Sequence, residues 1–394
     1  MWRRTVDDRL RTLLDARLNA DLSRRRFIQG AAGLTTLTVL GLAPGSAGAA
    51  GGALGGPLNF LGYDGEQATN VAGPFLSQNN IQLNASFTSS ADEALTRFMT
   101  GGRGSLDLFS VNKDFQSTVL DAGTELFLPL DMSRIPNAAG LFTAFKDAPW
   151  LVRDGNTYGV PLIWGNSPCV WNPEKWDGVP DRYTDFADPK FKGELVLLDD
   201  PFGNICLFAK SIGASGLGRL TQDELNRSLE ALIAIKPNIV TLGTGFGDMA
   251  DVLIRGDASI GIGGWAYQLV IAKEKGVTLV AGSPKIDDTL FWSDAYAIAV
   301  DAPNIDNAYA FIDYVTSAES NAALATELGS GCTVEAAYDL LTPDSQALYD
   351  YAGVRQPGGG ILGTQPSLLP PQQAEGDIVG VEAWIEAWQT FKAA

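Results

Sequence analysis

Short apolar runs alternate along this chain with longer segments in which apolar residues recur at helical spacing. The runs at 57–65, 81–87 and 105–111 predict strands, because they are brief, apolar and bounded by turn residues. The segments 66–80 and 90–102 predict helices, and each ends in an Asn or Gly pair. Strands that alternate with helices predict a parallel sheet with right-handed crossovers.

The same pattern returns in the second half of the chain. Strands are predicted at 193–200, 238–243, 258–265 and 277–282, and helices at 222–235 and 249–257. The apolar stretch 158–172 (YGVPLIWGNSPCVWN) joins the two halves, and an amphipathic helix is predicted at 377–394. The Gly-rich stretch 241–248 is interpreted as a loop, since no Lys-Ser/Thr follows it as a phosphate loop requires. The pattern therefore predicts two α/β units.

One predicted strand, Thr289 to Val300 (TLFWSDAYAIAV), contains an acid. Asp294 lies two residues after Trp292 in a run of aromatic and β-branched residues. A carboxylate is rarely placed in such a run unless something pairs with it. Asp294 either bonds backbone N–H groups inside a core or holds a cationic ligand, and we favour the ligand because Trp292 is adjacent.

Composition excludes several kinds of chemistry. The chain has 394 residues and no His, which excludes Ser-His-Asp and Cys-His catalysis and His-ligated zinc. The net charge of -18 disfavours nucleic acid and anionic membranes as partners. Cys169, Cys206 and Cys332 are far apart in sequence, so they are interpreted as buried apolar residues, with one disulfide as the alternative.

The first 49 residues read as an export signal. Ser23-Arg24-Arg25-Arg26-Phe27 resembles the twin-arginine motif, and a short apolar stretch and the small-residue site Ala47-Gly48-Ala49 follow it. The apolar stretch is too short to span a membrane, so no stable membrane insertion is expected. We therefore expect a periplasmic protein whose mature chain starts near Ala50.

Aromatic and acidic residues stand at the ends of the predicted strands. Tyr63-Asp64, Asp199-Asp200, Trp265 and Trp292 each lie at or just beyond a strand end. Ligands of open α/β sheets bind at the carboxyl ends of strands, so these side chains are expected to converge if the two sheets face each other.

The order of these motifs resembles the periplasmic spermidine/putrescine-binding proteins of ABC transporters, a branch of the type II extracellular solute-binding proteins. The resemblance runs from about Leu58 to the C-terminus. It is carried by LDLFSV (106–111), VPLIWGNS (160–167), FKGELVLLDD (191–200), GDASIGIGGW (256–265) and TLFWSDAYAI (289–298).

The resemblance implies an α/β fold with two lobes, mixed sheets and a ligand cleft between the lobes. Residues 50–163 with 293–337 are expected to form lobe 1, and 164–292 with 338–394 to form lobe 2. It also implies a monomer that captures a small cationic amine and delivers it to a membrane permease, with no cofactor, no metal and no catalytic residue.

The resemblance assigns the ligand to the acid Asp294 and its neighbour Trp292, to the acid Asp200 after its strand, and to Trp265. The full set of expected ligand-binding residues is Tyr63, Asp64, Asn112, Asp114, Asp200, Thr244, Trp265, Trp292, Asp294 and Ser330. Protonated amines are stabilised by carboxylates, and aromatic rings add cation–π attraction of about 0.5–2 kcal/mol each.

This chain departs from the family pattern at several positions. Gly203 stands where a second acid is usual, Ser330 replaces an aromatic residue, and Lys113 stands in a loop that normally offers Ser and Tyr. A Lys113 that points inward would repel a diamine and suit a ligand with a carboxylate. The alternatives are therefore a binding protein for an amino-acid-derived zwitterion or ferric ion, or an exported carboxylate-based hydrolase that uses Asp199, Asp200 or Asp294.

Overall fold

A computed structural model describes residues 53–88, 97–98, 102–121, 126–146, 148, 150–356, 365, 367–371 and 373–394. Residues 55–394 form one compact unit, which is the unit described below. The expected export signal and most of the expected helix at 90–102 lie outside the described residues.

Most of the strands in the described part of the chain are short. They are β1 (Gly56–Gly62), β2 (Ile81–Phe87), β3 (Leu108–Asn112), β4 (Val152–Arg153), β5 (Asn156–Thr157), β6 (Val160–Asn166), β7 (Cys169–Trp171), β8 (Leu195–Leu198), β9 (Ile239–Gly243), β10 (Ile260–Ile262), β11 (Val280–Gly282), β12 (Phe291–Ile298) and β13 (Gly331–Cys332).

The α-helices lie between these strands and, in the C-terminal part, after the last of them. They are α1 (Thr69–Gln78), α2 (Lys113–Asp121), α3 (Thr143–Lys146), α4 (Pro201–Ser211), α5 (Gln222–Ile235), α6 (Phe246–Arg255), α7 (Tyr267–Glu274), α8 (Ile305–Val315), α9 (Ala318–Glu327), α10 (Glu335–Tyr338), α11 (Pro343–Ala347), α12 (Tyr351–Arg355) and α13 (Val381–Ala393). Short 3-10 turns lie at 132–134, 136–140, 183–187, 189–191 and 236–238.

The strands form two main sheets. The first has the order β13-β6-β12-β3-β1-β2, and the second has the order β11-β7-β10-β8-β9. In the first sheet β1 runs parallel to β2 and β3, as the alternation of strands and helices predicts. Strand β12 enters this sheet antiparallel to both β3 and β6, which makes the sheet mixed. The second sheet is mixed as well, because β7 runs antiparallel to β10 and β11.

The predicted joint at 158–172 becomes β6 of the first sheet and β7 of the second, so this segment passes from one sheet to the other. The chain returns between β11 and β12. Trp164 in β6 is buried, donates its indole N–H to the Cys332 carbonyl at 2.9 Å and packs against Tyr349 and Tyr351.

The C-terminal part of the chain divides between the two sheets. Tyr349 and Tyr351 pack beside the first sheet, whereas Trp384 and Trp388 of α13 belong to the core of the second. The expected boundaries of the two lobes stay a prediction, and these contacts associate residues 349–351 with the first sheet.

Two local expectations were wrong. The stretch 241–248, expected as a loop, ends strand β9 at Gly243 and begins α6 at Phe246. The expected loop after β3 is also a helix, because α2 begins at Lys113 directly after Asn112.

The three cysteines are free and buried, which confirms their interpretation as apolar core residues. Among the described residues, no helix has both the length and the apolar character needed to cross a membrane.

Candidate functional site

The candidate site begins where β12 passes between β3 and β6. Asp294 pairs in register with Asn112, the last residue of β3, and the register with β6 shifts between Asp294 and Ala295. Such a bulge bends a strand and redirects a side chain, and bulges are frequent beside functional sites. Asp294 is 6% exposed, and its Oδ1 accepts a hydrogen bond from Asn112 Nδ2 at 3.1 Å.

A second acid, Glu66, lies against Asp294. It follows β1 in a tight turn where Gly65 has φ 95°, a conformation that favours glycine. The turn buries Glu66 to 1% exposure, and its carboxyl group is hydrogen-bonded to that of Asp294. Ser110 Oγ also donates to Glu66 Oε2, and the Tyr296 hydroxyl donates to the Glu66 carbonyl at 2.5 Å.

Burial and mutual repulsion govern the protonation of this carboxyl pair. Desolvation raises the pKa of Glu66 well above its ordinary value, and the neighbouring Asp294 raises it further. Desolvation raises the pKa of Asp294 to about 6, although the hydrogen bonds from Glu66 and Asn112 act in the opposite direction. Two like charges this close resist ionising together, so the doubly ionised form of the pair is disfavoured.

Another buried acid shows how unusual this environment is. Asp107 is fully buried, and it accepts the backbone N–H groups of Asn59 and Asn304 at 2.8 and 2.7 Å and the Asn304 amide at 3.0 Å. These donors satisfy a carboxylate as part of the fold. Asp294 accepts from Asn112 but also faces a second carboxyl group, which makes its charge costly to bury.

The network continues from Asn112 into α2. Asn112 Oδ1 accepts the backbone N–H of Asp114 at 3.1 Å, and Asp114 Oδ1 lies 2.9 Å from Lys113 Nζ. Both side chains of this ion pair are buried, with 4% and 8% of their surfaces exposed. The side chain of Lys113 is therefore buried, and its charge is matched by that of its neighbour Asp114.

Aromatic rings form the other part of the site. Trp292 and Trp265 meet edge to face with ring centroids 5.4 Å apart, and Phe246 and Tyr267 lie 5.4 and 5.1 Å from Trp265. Trp292 lies over Gly165, where an added Cβ would stand 2.5 Å from the ring. Its indole N–H donates to the Asn166 carbonyl at 3.0 Å, which fixes the ring at the end of β6.

This aromatic cluster joins the two sheets. Trp265 follows β10 of the second sheet, whereas Trp292 belongs to β12 of the first. Gly329 lies against the backbone of Ala266, where an added Cβ would be 3.1 Å away, and burial, followed by the charge of Asp64, raises the pKa of Tyr267. The site is therefore bordered by both sheets, with its acids on the first and most of its aromatic rings on the second.

Several expected ligand residues have other partners. Asp200 caps α4 by accepting the N–H groups of Phe202 and Gly203 at 3.0 and 3.1 Å. Thr244 is exposed and donates to Asp248, and Ser330 is fully buried, with its hydroxyl on the Leu328 carbonyl at 3.3 Å. The ligand roles expected for these three residues stay predictions.

The first-strand turn carries the remaining expected residues. Tyr63 is partly buried and accepts the N–H of Glu66 through its carbonyl at 3.2 Å, while Asp64 is exposed and accepts from Gln67 at 3.4 Å.

Asp199, considered as an acid for hydrolysis, accepts the Trp388 indole N–H at 2.7 Å and so holds the C-terminal helix.

Reasoning from the sequence missed Glu66, Phe246 and Tyr267 as members of the site. Glu66 lies one residue after the turn glycine Gly65, and nothing in its sequence context marks it as a site residue. Within the described part of the chain, no three His, Cys, Asp or Glu residues are grouped so that they could hold a metal ion.

Two mixed α/β sheets between which the chain passes at β6–β7 and β11–β12 have the two-lobed fold of the type II periplasmic binding proteins. The family model described as bacterial extracellular solute-binding protein matches residues 70–352. The chain belongs to this family, and the resemblance found in the sequence is confirmed.

Curated relatives extend over most of the chain. The spermidine/putrescine-binding periplasmic protein of Salmonella typhimurium is 24% identical over 273 residues, which cover 68% of this chain and 75% of that protein. A putrescine/agmatine-binding protein of Pseudomonas aeruginosa is 24% identical over 245 residues, which cover 58% of this chain and 65% of that protein.

Solved structures share the fold. The spermidine/putrescine ABC transporter substrate-binding protein PotD of Streptococcus pneumoniae superposes with a TM-score of 0.68 at 20% identity, covering 86% of this chain and 98% of that one. MotA of A. tumefaciens, solved with glucopine, gives a TM-score of 0.62 at 19% identity over 85% of this chain and 99% of that one.

Proposed function

We propose that this protein is the substrate-binding component of an ABC transporter that captures a polyamine or a related cationic amine. The observation that carries the proposal is the buried Glu66–Asp294 carboxyl pair, in which burial raises the pKa of both acids because, among the described residues, their charges lack a nearby cation. Relatives whose names specify spermidine, putrescine or agmatine support the same ligand class.

The chemistry of the site explains how such a ligand would be held. An ammonium group placed at Glu66 and Asp294 favours the ionised form of both carboxyl groups and offsets the repulsion between them. The alkyl part of the ligand then lies against Trp292 and Trp265, whose rings add cation–π attraction of about 0.5–2 kcal/mol each. Closure of the lobes excludes water and strengthens these charge contacts.

The role is binding and delivery, without chemical change of the ligand. The protein works in the periplasm, it reaches that compartment through the twin-arginine pathway, and it acts as a monomer that docks on a membrane permease. The periplasmic relatives support the compartment. Tyr63, Asp64, Asn112, Asp114, Asp200, Thr244 and Ser330 complete the proposed ligand set.

Calorimetric titration of the full chain, refolded after unfolding to remove bound solute, tests this function. Putrescine, spermidine and n-butylamine are compared with succinate, which has the same four-carbon chain as putrescine but two carboxylates. We expect saturable binding of at least one amine and no binding of succinate. Tight binding of succinate, or no binding of any amine, would refute the proposal.

A matched pair of variants tests the site itself. Glu66→Gln/Asp294→Asn removes the negative charge of the carboxyl pair, whereas Asp177→Asn changes an exposed acid outside the site. The first variant should lose amine binding and the second should retain it. Equal affinity in both variants would mean that the amine binds elsewhere.

A further inference from the structure

The two tryptophans of the site differ in what their indole N–H groups do. Trp292 Nε1 donates to the Asn166 carbonyl at 3.0 Å, so its hydrogen bond is used within the fold. Trp265 Nε1 is buried, and no residue in the described part of the chain accepts a hydrogen bond from it. A buried N–H group without an acceptor is unfavourable, so the Trp265 indole has a hydrogen bond left to donate.

The position of Trp265 connects this donor to the carboxyl pair. Its ring meets Trp292 edge to face, with the ring centroids 5.4 Å apart. Trp292 and Asp294 are two residues apart in β12, and both pair with β6 before the bulge. Alternate residues of a strand share one face of the sheet and are about 7 Å apart. The site therefore extends from the carboxyl pair past Trp292 to Trp265.

Neighbouring residues hold the Trp265 indole in this position. Gln268, which is fully buried in α7, accepts the Trp265 backbone N–H through Oε1 at 2.9 Å, and its own backbone N–H donates to the Trp265 carbonyl at 2.9 Å. The rings of Phe246 and Tyr267 pack against the indole with centroids 5.4 and 5.1 Å away. The N–H group is therefore presented by a fixed side chain.

An indole without a described partner also occurs outside the site. The Trp384 N–H in α13 has none either, but Trp384 is fully buried in the core of the second sheet. Trp265 differs because 8% of its surface is exposed and because its ring contacts Trp292, which belongs to the other sheet. Its location at the site, and not the missing partner alone, makes it a candidate for ligand binding.

The two sides of the site differ in the groups that they offer a ligand. The carboxyl groups of Glu66 and Asp294 attract a cation, whereas the indole offers an N–H donor. An ammonium group has no acceptor, so it cannot bind that donor. A carboxylate can accept, but the rings of Phe246, Tyr267 and Trp292 around the indole do not offset the cost of desolvating its charge. An uncharged hydroxyl or amide oxygen accepts the hydrogen bond without that cost.

We propose, on the basis of the amine-binding function above, that Trp265 Nε1 donates a hydrogen bond to an uncharged oxygen of the ligand. The ligand class is a monoamine with a hydroxyl or amide oxygen at the end opposite its ammonium group. The ammonium binds Glu66 and Asp294, the alkyl chain lies against Trp292, and the oxygen reaches the edge of the Trp265 ring. Because the two rings belong to different sheets, opening of the lobes admits the ligand and closure buries the hydrogen bond.

Three ligands of equal length that differ at one end test this proposal. 4-Amino-1-butanol, n-pentylamine and putrescine end in a hydroxyl, a methyl and an ammonium group, and calorimetric titration of the refolded full chain measures their affinities. We expect the native chain to bind 4-amino-1-butanol most tightly, because only the hydroxyl accepts from the indole. Amino alcohols and alkylamines that are one carbon shorter and one or two carbons longer are compared in the same way, and the variants are titrated with the length that binds most tightly.

Three variants isolate the hydrogen bond. Trp265→Phe keeps an aromatic ring and removes the N–H group, so the preference for the hydroxyl over the methyl should fall by about fivefold or more. Trp292→Phe is the matched control, because its N–H group is already bound to Asn166, and the two affinities should fall together at an unchanged ratio. Trp384→Phe removes an indole outside the site and should leave the ratio as in the native chain. Thermal unfolding verifies that each variant is folded.

The outcomes separate this inference from the proposed function. If amines bind and Trp265→Phe leaves the hydroxyl-to-methyl ratio unchanged, the donor role is refuted while amine binding stands. If no amine binds the native chain, the amine-binding function is refuted and the inference with it. Tighter native binding of putrescine, or of 5-aminopentanoate with its terminal carboxylate, would overturn the uncharged oxygen, and this comparison needs no variant that folds.

Discussion

Replacing Asp294 with Asn should stabilise the ligand-free protein at neutral and alkaline pH while it abolishes amine binding. Asp294 is a buried acid beside another acid, so its ionised form is disfavoured in the native state. Asparagine has the same shape and keeps an acceptor for Asn112, but it has no charge to desolvate. The substitution therefore removes the free-energy cost of burying the Asp294 charge when no ligand is bound.

The magnitude and the sign follow from the protonation of Asp294. Its pKa of about 6 in the native state, against an ordinary value of 3.8, corresponds to about 3 kcal/mol at a pH above both values. Because the native pKa is the higher one, the native state binds more protons than the unfolded state between these values. The free energy of unfolding therefore falls as pH rises from about 4 to about 6, and it is reduced by the full amount above that range.

Denaturant or thermal unfolding of the native chain and of Asp294→Asn at pH 4, 6 and 8 measures this effect. We expect similar stability of the two proteins at pH 4 and a gain of up to about 3 kcal/mol for the variant at pH 8. Asp107→Asn is the contrasting variant, because Asp107 is an equally buried acid surrounded by N–H donors, and it should lose stability. A less stable Asp294→Asn at pH 8 would refute the reasoning.

Three further substitutions test the rest of the site. Trp292→Ala removes one of the aromatic rings proposed to contact the ligand. It should weaken amine affinity by roughly 5–30-fold in calorimetry, since a desolvated cation–π contact contributes about 1–2 kcal/mol. Gly165→Val places a side chain where the Trp292 ring lies, so it should weaken amine binding and alter tryptophan fluorescence. Asp200→Ala removes the cap of α4 and should lower stability by about 1 kcal/mol in unfolding experiments. A simultaneous loss of amine affinity in Asp200→Ala would give Asp200 the ligand role that the sequence predicts.

The alternation of strand and helix patterns predicted much of the architecture. The helix over 222–235 has the predicted bounds, where Thr221 and Glu224 form a capping box. The passage from β6 to β7 also lies in the predicted joint. The antiparallel entry of β12 could not be derived from periodicity, because it depends on a pairing between residues that are far apart in sequence. Alternation identifies a strand without specifying its neighbours.

The two misjudged stretches have a common physical cause. Helix α2 starts directly after β3 with no Gly or Pro to mark the change, and α6 starts within the Gly-rich stretch 241–248. In both places the chain changes from strand to helix because the helix packs on the sheet. Local propensity is only a weak guide to such tertiary packing. Asp200, by contrast, precedes Pro201, a pair typical of a helix start, and in the structure Asp200 caps α4.

Asp294 could be singled out from sequence because an acid in an apolar strand is conspicuous, whereas Glu66 could not. Glu66 occupies a turn, where acids are ordinary, and only the close approach of β1 and β12 through β3 brings the two carboxyl groups together. Their proximity costs the native state free energy at neutral pH, and burial increases that cost. A fold that needed only hydrogen-bond partners would use donors of the kind found around Asp107. A cation bound at the pair is attracted to both carboxyl groups, and this attraction offsets the free-energy cost of burying them together. This is the physical reason to propose that the pair binds the ligand.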